Sequence, residues 1–241
     1  YFTTSEVVFM KFSRKIIYPF IISISFSIVP PQFGQFSTDL LNRFNEQEIG
    51  KEYGNPGWVK KIKSYKKNRI RNTQLEFNIP VLLGKYSDVS DTYFTSTDFQ
   101  NLLFDQNSSG SMQDYYTEIS YGNFILDGQT SGWYQSNFSQ SQAVNQVKGY
   151  VSNVAALADP DFNYGLYDND GPDNIPNSGD DDGYVDGIVV IYPGCLDGDN
   201  NIWAHQSSLG SNFQYITNDL TPDGQNIIID TYMVCPELSA G

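Results

Sequence analysis

Seven aspartates fall in the run YDNDGPDNIPNSGDDDGYVDG between Tyr167 and Gly187, and no other stretch of the sequence is so rich in groups able to do chemistry. Carboxylates this close repel one another. An ordered loop tolerates the crowding when a hard cation neutralises it. Calcium takes roughly six to eight oxygen ligands, and D-x-D-G spacing supplies them, because alternate side chains converge while glycine lets the backbone turn sharply. Two such units occur, Asp168-Asn169-Asp170-Gly171 and Asp180-Asp181-Asp182-Gly183. The expected calcium ligands are Asp168, Asp170, Asp180, Asp182 and Asp186, with Asp173 as a further member. The spacing is not that of the helix-loop-helix calcium site: no Glu closes the loop and no helical pattern flanks it. Alternation of Asp with Gly, rather than mere clustering, separates this loop from a solvated acidic surface.

The remaining reactive residues are few. The one histidine, His205, lies beside Trp203, where a lone imidazole serves as a structural hydrogen-bonding group. No G-x-S-x-G elbow presents a serine nucleophile. Cys195 and Cys235 are the only cysteines. Two thiols cannot complete a four-ligand zinc site, and their spacing is not that of C-x-x-C redox chemistry. In a secreted protein the expectation for them is one structural disulfide.

The elements that must hold these residues read as follows. Phe77 to Tyr86 is a short apolar run suited to a buried strand. Ser96 to Phe104 reads as a helix capped by Ser or Thr. A second helix starts at Ser111, places Asp114 in its first turn and stops at Gly122; Met112, Tyr115, Tyr116 and Ile119 form its apolar face. Asn123 to Tyr134 reads as two strands about an Asp127-Gly128 hairpin turn. Ser139 and Gln142 form a capping box opening a helix that runs to Ala158. Gly187 to Tyr192 and Asn226 to Val234 are the strongest buried-strand patterns. Strands interleaved with helices predict an α/β (α+β) domain.

Charge divides the chain. Residues 1–71 carry 12 Lys+Arg and 5 Asp+Glu, or +7, and residues 72–241 carry 2 and 23, or −21, which together give −14. An acidic domain of this kind excludes nucleic acid and anionic membrane and attracts divalent cations. Met10 opens what reads as a secretory signal: Lys11, Arg14 and Lys15, then the apolar Ile16 to Val29, with Ser25-Phe26-Ser27 as cleavage site. Fourteen apolar residues are too few to span a bilayer, so no stable membrane anchor is expected. Residues 1–9 read as upstream frame, 10–29 as the signal, 30–72 as a pro-segment or basic linker, and 73–241 as the folded domain.

In order, Val81 to Asp88, the segment Gly110 to Gly122 ending Ser120-Tyr121-Gly122, Gly132-Trp133-Tyr134, the acidic loop with its following strand, Ile202-Trp203-Ala204-His205, and Tyr232 with Pro236-Glu237 resemble the immune inhibitor A family of secreted zinc metallopeptidases. The resemblance covers about residues 75–241. It implies a zincin-like N-terminal subdomain, with a twisted mixed sheet and flanking helices, followed by an active-site helix bearing H-E-x-x-H. That motif supplies two zinc-binding His and a Glu that activates water. The sequence holds one His and no H-E-x-x-H. The expectation is therefore the front part of such a peptidase domain: extracellular, monomeric, acting on protein or peptide substrates, binding calcium itself, and inactive without zinc ligands from beyond Gly241. The competing expectation is a non-catalytic calcium-binding secreted module, adhesive or glycan-binding.

Overall fold

The computed structural model describes residues 74–105, 110–171, 173–195 and 201–238. The expected upstream frame, signal and basic linker lie outside the described residues. Strand β1 (Leu75–Lys85) is buried along most of its length. A strand apolar on both faces belongs inside a sheet covered on both sides. It takes that place in a five-stranded sheet with β2 (Phe124–Gln135), β3 (Ile188–Cys195), β4 (His205–Ser208) and β7 (Thr231–Leu238), in the order β2-β1-β3-β7-β4. The first four of these run parallel, and β4 pairs antiparallel with β7. The mixed sheet flanked by helices matches the expected fold class.

Side chains alternate across the sheet. Leu82, Val190, Tyr192, Tyr232 and Val234 face one way, into a core completed by Val147, Tyr150, Val151, Val154 and Ala158 of helix α4 (Val147–Ala158). Phe77, Ile79, Val81, Leu83 and Ile191 face the other way, against Phe99 of α1 (Ser96–Leu103) and Tyr116 of α2 (Met112–Ile119). Each fully buried aliphatic or aromatic side chain contributes about 1.5–3 kcal/mol. All three caps are reciprocal, where the sequence predicts a full box only for Ser139 with Gln142. Thr95 with Asp98, Ser111 with Asp114, and Ser139 with Gln142 each close a reciprocal capping box. Gly122 takes φ 74° to end α2.

Five expectations are corrected. Asp127-Gly128 makes no hairpin, since β2 runs straight through it and pairs with β1 from Leu75↔Phe124 to Lys85↔Gln135. Gly128 is there for space: a Cβ would sit 2.1 Å from the Ile79 carbonyl oxygen and 2.6 Å from the Phe104 ring. The register slips once, between Val81 and Leu83. There the Ser131 hydroxyl accepts the Leu83 N–H at 2.9 Å, replacing a ladder bond. The long helix breaks at Gln146 (φ −141°, ψ 61°) into α3 (Gln140–Asn145) and α4, a bend that still buries both Ala143 and Val147. On α2, Tyr116 is buried while Tyr115 and Ile119 are exposed, so the predicted core stripe is narrower.

The run Asn226 to Val234 is two strands. β6 (Asn226–Ile229) pairs with β5 (Tyr215–Leu220) in a separate ribbon, and β7 joins the main sheet. Asp230 alone separates them; its carbonyl accepts Leu209 N–H at 2.7 Å and its carboxylate accepts Gly210 N–H at 2.8 Å.

The expected disulfide is also absent. Cys195 and Cys235 are both free thiols. They sit on neighbouring parallel strands, but Cys235 pairs with Ile191 and Cys195 with Leu238. Three positions along a strand are about 10 Å, beyond the roughly 7 Å Cα separation a disulfide spans. Alkylation of the unfolded, unreduced chain should label both cysteines, read by intact mass. Gly128→Ala should lower stability by about 2–3 kcal/mol in urea unfolding. Gly132→Ala in the same strand, with nothing within 4 Å of the new methyl, should change it by less than about 0.5 kcal/mol.

Candidate metal centre

The acidic loop is held by its neighbours on both sides. A 3-10 turn, Tyr164–Tyr167, delivers the chain into it, with Tyr164 N–H donating to Asp219 Oδ2 at 2.6 Å. At the far end Asp186 N–H donates to the Tyr167 carbonyl at 2.8 Å, closing the loop before β3 begins. The β5–β6 ribbon flanks it: Val185 N–H and the Ile228 carbonyl, Ile228 N–H and the Gly183 carbonyl, and Asn177 Nδ2 and the Leu220 carbonyl are paired at 2.9 Å each.

Within the loop Asp168, Asp170 and Asp181 bring carboxylate oxygens within 4.8 Å of one another. Asp168 and Asp170 are buried, and Asp181 is half-buried. At an effective dielectric of about 20, two charges that close repel by at least about 3 kcal/mol. Backbone donors offset part of this. Asp168 Oδ2 accepts Gly183 N–H at 3.0 Å, and Asp181 accepts Gly171 N–H and Ser178 N–H at 2.7 Å each. Gly171 is required by contact, because a Cβ there would lie 2.8 Å from the Asp180 carboxylate and 2.9 Å from that of Asp181. Two amide oxygens of the same loop, Asn169 Oδ1 and Asn177 Oδ1, are buried acceptors with no hydrogen-bond donor. Buried acceptors without donors, beside clustered carboxylates, are what a cation satisfies.

Of the predicted ligands, Asp168 and Asp170 join the group. Asp181 takes the third place. The D-x-D rule selects Asp180 and Asp182 by assuming an extended chain, but residues 178–181 form a turn, which reverses which side chain points inward. Asp180 instead accepts from Asp173 N–H at 3.4 Å and from the Ser178 hydroxyl, which holds its carboxyl below the usual range. Asp182 accepts Tyr184 N–H at 3.0 Å, and Asp173 accepts Ile175 N–H at 2.9 Å. Asp186 is buried at the base of the loop, outside the close group.

His205 is a structural group, as expected. Nδ1 lies 2.6 Å from the Trp203 carbonyl and Nε2 3.3 Å from the Tyr232 hydroxyl. Burial pushes its pKa from 6.5 down to about 4. The residues present do not fit a catalytic zinc, which draws on three protein ligands with at least two His or several Cys. No protein-family model matches the sequence, and no curated protein matches it either.

Two outcomes are expected. A divalent cation should raise the melting temperature of the chain. Asp181→Asn should abolish the increment while Asp180→Asn retains most of it, read by calorimetry with and without chelator. His205 titrates at 6.5 when unfolded and about 4 when folded, so the unfolded state binds the extra proton between those values. Stability is therefore full above pH 6.5 and falls as pH drops toward 4, by about 2 kcal/mol from this group at pH 5. His205→Gln should flatten that part of the pH profile.

Proposed function

We propose that this chain is the calcium-stabilised N-terminal framework of a secreted zinc endopeptidase of the immune inhibitor A type. What supports the reading is the way the resembling segments distribute over one framework. Val81 to Lys85 lie in β1, Gly110 to Gly122 surround α2, Gly132-Trp133-Tyr134 lie in β2, the acidic loop feeds β3, Trp203 and Ala204 lead into β4, and Pro236-Glu237 end β7. Glu237 of the last segment accepts Gly194 N–H of β3 at 3.3 Å, and Tyr93 and Phe94 N–H of the β1–α1 connection at 2.6 and 2.7 Å.

Calcium is the ion proposed for Asp168, Asp170 and Asp181, with Asn169 and Asn177 supplying amide oxygens nearby. An all-oxygen donor set suits a hard cation, whereas zinc and copper prefer imidazole or thiolate. The zinc of the peptidase would be held by an H-E-x-x-H helix outside these 241 residues. There it would act as a Lewis acid and activate the attacking water. The residues of this chain would position that helix and hold the calcium loop.

The second reading is a non-catalytic calcium module. It is favoured by the fact that the oxygen cluster is the only group among the described residues that could hold a metal ion. One experiment separates the two. The polypeptide secreted by its own host should cleave casein and lose the activity to a zinc chelator, while the 241-residue chain alone should not cleave. Chelator-sensitive cleavage by the short chain would overturn the assignment of zinc to residues outside it. Inactivity of the secreted polypeptide would leave the calcium module as the better account.

A further inference from the structure

The outer face of β5 carries Ile216 and Leu220, 63% and 53% exposed, two strand repeats apart. The bond from Asn177 to the Leu220 carbonyl draws the acidic loop alongside, with Ile175 59% exposed. These aliphatics are accompanied by the exposed carboxylates of Asp173, Asp180 and Asp223. Exposed aliphatic side chains rimmed by carboxylates suit a cationic partner that also carries apolar side chains.

We propose that the partner is residues 60–71 of this same chain, KKIKSYKKNRIR, lying on this face. The charges are complementary. The segment carries seven Lys or Arg and no acid, while residues 72–241 hold only Lys85 and Lys148 against 23 Asp+Glu. Ile62, Tyr65 and Ile70 interrupt the basic run, so the segment offers apolar groups to the exposed aliphatics as well as charge to the rim.

Position and reach agree. β1 begins at Leu75 and runs parallel to β3, with Val81 opposite Val189. Leu75 therefore lies at the edge of the sheet where the acidic loop enters β3. β1 also packs on the 3-10 turn that opens the loop. Arg71 is four residues from Leu75, a span of up to about 14 Å. The described chain thus begins at the sheet edge beside the surface that the segment complements. Screening beyond about 3 Å in 1 M salt should loosen the ionic part of the contact.

The test is zero-length carbodiimide coupling of the full chain at low salt, using a mixture of isotope-labelled and unlabelled protein, followed by peptide mapping. Lys60 to Lys67 should couple to Asp173, Asp180 or Asp223 within one chain. The yield should fall several-fold in 1 M salt and in the Ile216→Ser/Leu220→Ser variant. It should be unchanged in Leu102→Ser, an equally exposed leucine on α1. Equal coupling to Asp98 and Asp105 at the α1 side, or links chiefly between labelled and unlabelled chains, would overturn the proposal.

Discussion

Burial of β1 and β3 on both faces is the constraint on which the rest of the structure depends. A parallel pair with Leu82 and Val190 on one side and Val81, Leu83 and Ile191 on the other is stable only between two apolar layers. Helices α1 and α2 supply one and α4 the other. Parallel pairing also aligns the strand ends. The acidic loop is thereby fixed at the edge where β3 begins, and Glu237 at the edge where β7 ends.

Carboxylates in this molecule act chiefly as hydrogen-bond acceptors for backbone. Asp159 accepts the Tyr215 hydroxyl and Asn218 N–H, docking the β5–β6 ribbon on α4. Asp219, Asp230 and Glu237 each accept backbone N–H groups from remote segments. With two basic residues beyond position 71, the domain has little scope for ion pairs. Charge-assisted bonds from backbone donors are roughly twice as strong as neutral ones, so they serve as the staples.

The loop from Asp168 to Asp186 extends the same chemistry to its limit. Its N–H donors satisfy individual carboxylate oxygens, yet three carboxylates still converge. A cation there would neutralise charge and also secure the ribbon, because Gly183, Val185 and Asn177 bind Ile228 and Leu220 from the same loop. A cation bound there would thus be coupled to ribbon docking through shared backbone.

The α/β class, the strand at Phe77 to Tyr86, the Ser139–Gln142 capping box and the crowding of carboxylates in the acidic loop were legible in the sequence. Each rests on local physics: periodicity, a side chain reaching the N–H three residues on, or charge density that needs a counter-ion. Tertiary contacts decided the rest. Gly128 looks like a turn residue until the Ile79 backbone and Phe104 ring occupy the space its Cβ would take. NIIIDTYMV looks like one strand until Asp230 finds the N–H groups of Leu209 and Gly210. Cys195 and Cys235 look like a pair until strand register sets them about 10 Å apart. Asp181 displaces Asp180 and Asp182 because a turn, unlike a strand, does not alternate its side chains. Local pattern reports what a residue prefers, and only its remote neighbours determine which preference is met.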